Sequence, residues 1–354
     1  MNFRLSIQNH YALYFLVLFT LSMACKQSNQ PKLPEDKSKG KSGDMWVEII
    51  DPKAKTLISE KSAIVTIARG FNWAEGTLWL KDQQALLFSD VPENKIYKWS
   101  EAGGLSTWLE PSGYTGPKEK KREGSNGLLL NTKNQLVICQ HGDRRIAIMD
   151  APLSDPLPKF ISLVSLWRNK KLNSPNDAAF RNGSLYFTDP PYGLPGQDQD
   201  PEKELDFSGV YRVGHSGAII MVTDSLSRPN GIGFSPGNEF MYIANSDPMR
   251  AIWMKYTIGS TGNAIAGKVL YDATSLVEKE NGLPDGLKVH PSGNVFATGP
   301  GGLWIFSPQD EVIARIHIPQ ATANCAFDDT FNHLYIAADS TIIRVTLTDG
   351  TKQN

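Results

Sequence analysis

The sequence predicts an all-β fold and, within that class, a six-bladed β-propeller. Short apolar runs alternate with Gly, Pro, Asn and Asp along most of the chain, and helical periodicity is almost absent, a pattern typical of all-β proteins. One strand–turn–strand pattern also recurs six times at a period of about 40–55 residues. That period suits the blades of a propeller better than a pair of β-sandwiches, which would not repeat one pattern six times.

Residues 1–25 are the first predicted element, an export signal. Arg4 supplies a positive charge, and the fourteen apolar residues Tyr11–Ala24 are too few to span a bilayer comfortably. The stretch ends in Ala24-Cys25 and resembles a bacterial lipobox. We therefore expect cleavage before Cys25, acylation of that residue and a lipoprotein of the cell envelope, periplasmic or anchored in the outer membrane. Ordinary secretion to the periplasm, with Cys25 incidental, is the alternative.

Residues 26–45 are predicted to be a flexible linker, and residues 46–350 the propeller. Lys26–Asp44 contains no aromatic residue and one aliphatic residue, Leu33, so it cannot form a core. The net charge of −1 and the single charged run Lys118–Arg122 argue against a nucleic-acid surface. Cys139 and Cys325 are expected to be buried free thiols.

The six repeats each contain a strand that follows a polar turn, and most continue into a second strand. The first strands are LLFSD (86–90), LVICQ (136–140), LYFTD (185–189), MYIAN (241–245), VFATG (295–299) and LYIAA (334–338). The last repeat lacks about one strand. An early strand, Trp46–Ile50 or Ala63–Ile67, is therefore expected to complete the last blade and close the ring, which removes an exposed sheet edge.

An acid or an amide stands just before the first strand of every repeat, at spacings of about 51, 50, 54, 55 and 39 residues. Rotation about a propeller axis would bring these side chains together in the central channel. Converging carboxylates repel one another, so a divalent cation is the expected occupant. Oxygen donors favour Ca²⁺, while Mg²⁺, Mn²⁺ and Zn²⁺ stay open. Because Asn-Gly and Asp-Gly are also common turn pairs, ordinary turns are the alternative interpretation. The six residues are Glu75, Asn126, Asn176, Asn230, Asp285 and Asn324.

At these positions the chain resembles the family that joins senescence marker protein (regucalcin), bacterial gluconolactonases and luciferin-regenerating enzyme. The resemblance covers roughly residues 70–345. The matching segments are FNWAEGTLW (71–79), SNGL (125–128), NSPNDAAF (173–180), LYFTDPPYGL (185–194), RPNGIGFSP (228–236), LPDGLKVHPSGNVFATGPGGLWIF (283–306) and ANCAF (323–327).

The resemblance implies a six-bladed propeller that uses a divalent metal to open a sugar lactone such as gluconolactone. It implies that Glu75, Asn176 and Asp285 hold the metal, that Asp285 is also the catalytic acid/base, and that Asn126 contacts the substrate. Asn230 falls where paraoxonase-like propellers place a further metal ligand. The expected chemistry is polarisation of the lactone carbonyl by the cation, followed by attack of water.

Three further residues are candidates for contact with the substrate. His141 and Arg144 follow a predicted strand near the expected channel mouth and could hydrogen-bond sugar hydroxyls, and His141 could share the acid/base work. A solvated hairpin turn is the alternative for this pair. Tyr192, in the segment DPPYG, could form a wall of the pocket, and an ordinary proline-containing loop is the alternative. Animal members carry Arg where this chain has Gly124, so the sugar is expected to be recognised differently there.

The sequence leaves two other functions open. One is a non-catalytic binding propeller on the cell envelope with a purely structural cation, since fold alone does not establish activity. The other is an esterase of the paraoxonase kind. Two converging carboxylates, Glu75 and Asp285, favour an enzyme because a scaffold has no need of them. The sequence has no H-E-x-x-H motif and no phosphate-binding loop.

Overall fold

Antiparallel sheets repeat six times around one axis in the computed structural model, which describes residues 44–120, 122–214 and 217–348. The predicted all-β, six-bladed propeller is thereby confirmed. All of these residues belong to the second of two units, Pro34–Asn354; the first, Met1–Leu33, lies outside the described residues. The predicted signal, Cys25 and nearly all of the predicted linker lie outside them as well.

Two strands precede the first blade, β1 (Trp46–Ile49) and β2 (Ile64–Arg69). Four consecutive strands then form each of the first four blades. Blade 1 contains β3 (Ala74–Leu80), β4 (Ala85–Asp90), β5 (Lys95–Ser100) and β6 (Gly104–Leu109). Blade 2 contains β7 (Ser125–Leu130), β8 (Leu136–Gln140), β9 (Arg145–Met149) and β10 (Phe160–Val164), and a small hairpin follows, β11 (Leu166–Trp167) and β12 (Lys170–Lys171). Blade 3 contains β13 (Ala178–Arg181), β14 (Ser184–Asp189), β15 (Gly209–Val213) and β16 (Ile219–Thr223). Blade 4 contains β17 (Pro229–Phe234), β18 (Phe240–Asp247), β19 (Arg250–Ile258) and β20 (Ala264–Asp272).

Blades 5 and 6 are completed by the two early strands. Blade 5 contains β21 (Leu287–Val289), β22 (Val295–Gly299), β23 (Gly302–Phe306) and β24 (Val312–His317), and β1 pairs with β24 as a fifth strand. Blade 6 contains β25 (Thr322–Phe327), β26 (His333–Ala338) and β27 (Thr341–Thr346), and β2 pairs with β27 as the fourth strand. The second of the two strands considered from the sequence therefore closes the ring.

Helical structure is limited to short 3-10 turns among the described residues: Pro52–Thr56, Lys81–Gln83, Lys118–Lys120, Gln197–Gln199 and Thr274–Leu276. In this part of the chain no helix is long and apolar enough to cross a membrane.

The blades pack face to face because alternate residues of a strand point to opposite neighbours. In β8, for example, Ile138 joins the core shared with blade 1, whereas Cys139 joins the core shared with blade 3. Cys139 and Cys325 are both buried free thiols, as predicted. The innermost strands contact one another in the order β3, β7, β13, β17, β21 and β25, and β25 contacts β3. Blades 2 and 5 therefore stand on opposite sides of the axis.

Candidate functional site

Five of the six polar residues predicted to face the axis line one cavity of about 560 Å³. Each stands at or just before the start of the innermost strand of its blade, so the ring of strands delivers one polar side chain per blade to the same place. The sixth residue, Asn324, does not line the cavity and lies behind it. The five are Glu75, Asn126, Asn176, Asn230 and Asp285.

These residues do not form hairpin turns, which was the alternative interpretation of their Asn-Gly and Asp-Gly pairs. The ladder shifts register at the axial residue in blades 1, 2 and 4, and such a bulge changes the direction of a side chain. The following glycine lets the next blade approach closely: a Cβ on Gly127 would lie 2.7 Å from the carbonyl oxygen of Asn176. A Cβ on Gly231 would likewise overlap the backbone around Asp285.

Four side-chain oxygens in the cavity are buried and have no hydrogen-bond partner among the residues that the structure describes. They are the Oδ1 atoms of Asn126, Asn176, Asn230 and Asp285. Leaving one buried polar atom unsatisfied costs about 1–3 kcal/mol, so four around a single axis mark a place where a bound group would be stabilised. A divalent cation with oxygen ligands fits this donor set. The Oδ1 atom of Asn126 is buried and unpartnered like the other three. The geometry therefore does not identify Asn126 as a residue that contacts only the substrate.

The two axial carboxyls reinforce this requirement. Burial raises the pKa of Glu75 to about 7, against hydrogen bonds from the backbone N–H of Gly76 at 2.7 Å and from Asn324 Nδ2 at 3.0 Å. Burial, together with the charge of Glu75, raises the pKa of Asp285 well above its usual range. A bound cation would offset both effects and favour two carboxylates. The described residues contain no group of three or more His, Cys, Asp or Glu side chains placed to hold a metal, so a cation on the axis would take its remaining ligands from the amides.

A second polar layer, which the sequence analysis did not predict, lies behind Glu75. Asn324 donates from Nδ2 to Glu75, and its Oδ1 accepts from the backbone N–H of Cys325 at 2.9 Å and from Lys288 Nζ at 3.3 Å. Lys288 Nζ also lies 3.9 Å from Asp177 Oδ2. Lys288 thus orients the amide of Asn324 so that its NH₂ faces Glu75. A lysine on an innermost strand, in the segment LKV, was the available sequence signal.

His141 and Tyr192, both predicted from the sequence, line the same cavity. His141 Nδ1 lies 3.1 Å from Glu123 Oε2, while its Nε2 is buried without a partner. The hydroxyl of Tyr192 donates to the carbonyl oxygen of Ser246 at 3.0 Å. Burial, and secondarily the charge of Asp285, raises the pKa of Tyr192 to about 12.

Arg144 lies elsewhere. Its Nε donates to the carbonyl oxygens of Leu172 at 2.7 Å and Asn173 at 3.1 Å, and its Nη1 donates to that of Glu202 at 2.8 Å. It lines a neighbouring surface pocket and not the axial cavity. The prediction that Arg144 would contact a ligand at the channel mouth is therefore not supported, because its guanidinium is used to tie blade 2 to the loop before blade 3.

The cavity also has apolar lining residues. Trp73, Val91, Pro92, Val277 and Leu283 line it, and all five lie outside the strands, on the loops that surround the cavity. Strand periodicity carries no information about such loops, and the sequence analysis assigned none of these residues to the site.

Residues 73–340 match the family described as SMP-30/Gluconolactonase/LRE-like region. The chain is 35% identical over 304 residues to a gluconolactonase of Zymomonas mobilis, which covers 83% of this chain and 84% of that protein. Among solved structures it is similar to a gluconolactonase from Xanthomonas campestris, with a TM-score of 0.74, 25% identity and coverage of 87% of this chain and 99% of the other. The fold is shared with a calcium-binding regucalcin from Agrobacterium tumefaciens, with a TM-score of 0.62, 16% identity and coverage of 80% and 93%.

Proposed function

The chain belongs to the SMP-30/gluconolactonase/LRE-like family, and on that premise we propose that it hydrolyses a sugar lactone such as gluconolactone. The observation that supports this proposal most directly is the ring of unpartnered oxygens in a cavity large enough for a small cyclic substrate. A structural scaffold gains nothing from four buried oxygens left without partners.

Glu75, Asn176, Asn230 and Asp285 are the residues that would hold a divalent cation, and Ca²⁺ suits their all-oxygen set. Asn126 offers an oxygen of the same kind, which can contact the substrate or complete the ligand set. When bound, the cation supplies a Lewis acid that polarises the lactone carbonyl and stabilises the oxyanion that develops.

The chain's own residues would carry out the remaining steps. The carboxylate of Asp285 is the proposed general base, which takes a proton from the water that attacks the carbonyl carbon. Tyr192 forms a wall and orients the substrate, since its hydroxyl is fixed by Ser246. Trp73 and Leu283, which also line the cavity, can pack against apolar carbons of the substrate ring and exclude water from them.

Gluconolactone hydrolysis by the purified protein, followed by acid release above the spontaneous rate, tests this function. We expect turnover that is lost with a chelator and restored by Ca²⁺. Absence of turnover on gluconolactone and on a panel of other sugar lactones would instead support the binding-propeller alternative. Turnover confined to aryl esters would support the paraoxonase-like alternative.

A further inference from the structure

We propose that Glu123 and His141 form a proton-donating pair, in which His141 Nε2 gives a proton to the ring oxygen of the lactone as the ring opens. This inference rests on the proposed lactone hydrolysis and assigns a residue to its second half. Asp285 is proposed to activate the water, but it leaves the departing oxygen without a proton source.

The imidazole of His141 has one nitrogen occupied and one free. The side chain is almost fully buried, at 1% exposure. Nδ1 lies 3.1 Å from Glu123 Oε2, which can accept an Nδ1–H and balance the charge of a doubly protonated ring. Nε2 is buried without a partner although His141 lines the cavity. An unsatisfied buried nitrogen is costly, so an atom of a bound ligand is its expected partner.

The surrounding backbone holds this ring in place. The N–H of His141 donates to the carbonyl oxygen of Gly124 at 3.1 Å, and the carbonyl oxygen of His141 accepts from the N–H of Arg144 at 3.1 Å. Gly193 packs directly on the side chain, since a Cβ there would lie 2.7 Å from the Cβ of His141. A Cβ on Gly142 would overlap the carbonyl oxygen of Glu123. Such packing fixes the orientation of the ring before a substrate binds.

His141 and Asp285 belong to opposite sides of the cavity. His141 follows β8 in blade 2, whereas Asp285 precedes β21 in blade 5, and these blades face each other across the axis. A lactone between them can have its carbonyl carbon attacked from the side of Asp285 and its ring oxygen protonated from the other. Inverting glycosidases also place their acid and their base on opposite sides of the bond that breaks.

The other titratable groups that line the cavity are less suited to donate this proton. They are Glu75, Glu123, Tyr192 and Asp285. Glu75 and Asp285 are proposed to hold the cation, and the hydroxyl of Tyr192 already donates to Ser246, with a pKa of about 12. Glu123 is bonded to His141. Among these groups, Nε2 of His141 is therefore best placed to donate the proton to the ring oxygen.

Water oxygen bonds to the carbonyl carbon and gives one proton to Asp285, while the carbonyl π pair moves onto its oxygen. When that pair returns, the bond between the carbonyl carbon and the ring oxygen breaks, and the ring oxygen takes the proton of His141 Nε2. The product is a hydroxy acid. The proton on Asp285 then restores the protonation of His141 through water, and the product acid ionises in solution.

The test depends on the leaving group. An alkoxide must be protonated as it departs, whereas a phenoxide, whose conjugate acid has a pKa of about 10, leaves unaided. We compare gluconolactone with dihydrocoumarin, a lactone of a phenol. His141→Gln should lower kcat on gluconolactone by about 10²–10³-fold, and on dihydrocoumarin by less than about tenfold. His317→Gln is the matched control, because His317 Nε2 bonds Glu48 at 2.8 Å and neither residue lines the cavity.

The outcomes separate this assignment from the proposed function. If the wild type is active, two results for His141→Gln overturn the assignment of His141 alone. One is an equal loss of activity on both substrates, and the other is near-native activity on both. A wild type inactive on gluconolactone overturns the proposed function and the assignment with it. If His141→Gln has a lower melting temperature than the wild type, Glu123→Gln is the second variant. It should show a smaller loss with the same selectivity for gluconolactone, and a loss without that selectivity counts against the pair.

Discussion

At the scale of single residues, Asp285 combines two proposed roles that oppose each other. Its carboxylate is buried beside Glu75, and that environment raises its pKa. A bound cation would favour the ionised form and so weaken Asp285 as a base. Hydrolysis of a δ-lactone makes modest demands because these esters open fairly readily in water. Weak basicity next to a polarised carbonyl is therefore sufficient.

Replacement of Asp285 separates binding from proton transfer. Asp285→Asn keeps the size of the side chain and one oxygen donor but removes the charge that accepts a proton. At saturating cation, turnover should fall by about 10²–10⁴-fold. Asn126→Ala should act mainly by raising KM, with a smaller effect on kcat. Steady-state kinetics of both variants decide the matter, and near-native turnover of Asp285→Asn at saturating cation would place the base elsewhere.

A second set of carboxyls holds the loops that lead into the site. Asp189 accepts from the backbone N–H groups of Asn173 and Ser174 at 2.8 Å each. Asp90 accepts in the same way from the N–H groups of Asn72 and Trp73 in blade 1. Both residues end the second strand of their blade, so each fixes the segment that precedes an axial residue. These two aspartates are visible in the repeats LLFSD and LYFTD. The alternation of apolar and polar residues along a strand, however, does not show which groups the last side chain binds.

Ionisation of Asp189 should contribute to the way in which the stability of the fold changes with pH. Burial outweighs its hydrogen bonds and raises its pKa to about 7, above the value of about 3.9 expected in the unfolded chain. Between these values the folded state holds a proton that the unfolded state has lost. The contribution of Asp189 to stability is therefore complete below about pH 4 and is lost as pH rises through about 7. Melting temperatures across this range should show a smaller decline in Asp189→Asn than in the wild type, and parallel curves would disprove the assignment.

At the scale of the strand, the glycine that follows four of the axial residues, Glu75, Asn126, Asn230 and Asp285, explains a signal that the sequence left ambiguous. Asn230-Gly231 is a common turn pair, but here it lies within β17. The pair occurs because the backbone of blade 5 passes where a Cβ of Gly231 would lie. The recurrence of the Asn-Gly pattern could be predicted, because it is visible in each short segment of the sequence. The close approach that requires the glycine could not be predicted, because it depends on backbone about fifty residues further along the chain.

Addition of one methyl group at this contact tests the explanation. Gly231→Ala should lower the free energy of unfolding by about 1–3 kcal/mol, because blades 4 and 5 must move apart. Gly214→Ala is the control: a Cβ there meets no atom within 4 Å, so a change within about 0.5 kcal/mol is expected. Denaturant melts of both variants provide the measurement, and equal stabilities would refute close packing at Gly231.

At the scale of the whole molecule, the proposed cation in the axial cavity would connect the blades through a shared ligand. Its five axial side chains, Glu75, Asn126, Asn176, Asn230 and Asp285, come from five different blades, and four of their oxygens lack partners among the described residues. The sequence predicted this convergence because the spacing of the repeats sets it. The pairing of Glu123 with His141 and the burial of Arg144 could not be predicted, because both depend on how loops cross between strands.

Removal of the cation should therefore affect the entire fold. A ligand that binds only the native state stabilises it by mass action, by about 2.7 kcal/mol at a hundredfold excess over Kd. We expect a chelator to lower the melting temperature and Ca²⁺ to restore it. Glu75→Gln should reduce the size of that shift. An unchanged melt together with the absence of metal by elemental analysis would contradict the axial site.

We also propose that the N-terminal segment attaches the protein to a membrane through Cys25. If Cys25 is acylated, Cys25→Ser should release the protein from the membrane fraction or block its processing. Fractionation of cells that express each form, followed by metabolic labelling with a fatty acid, gives the answer. A mutant that stays with the membranes as the wild type does would exclude anchoring through Cys25.

The pairing of β2 with β27 has a consequence for biosynthesis. The two strands are about 275 residues apart in sequence, so the last blade cannot form until nearly the whole chain has been made. Until then β2 has an unpaired edge, and the ring is an open arc whose end blades lack a neighbour. Contacts of such long range form slowly, and an exposed strand edge can recruit another chain in the meantime. The growing polypeptide is therefore at greatest risk of intermolecular association just before its final strand arrives.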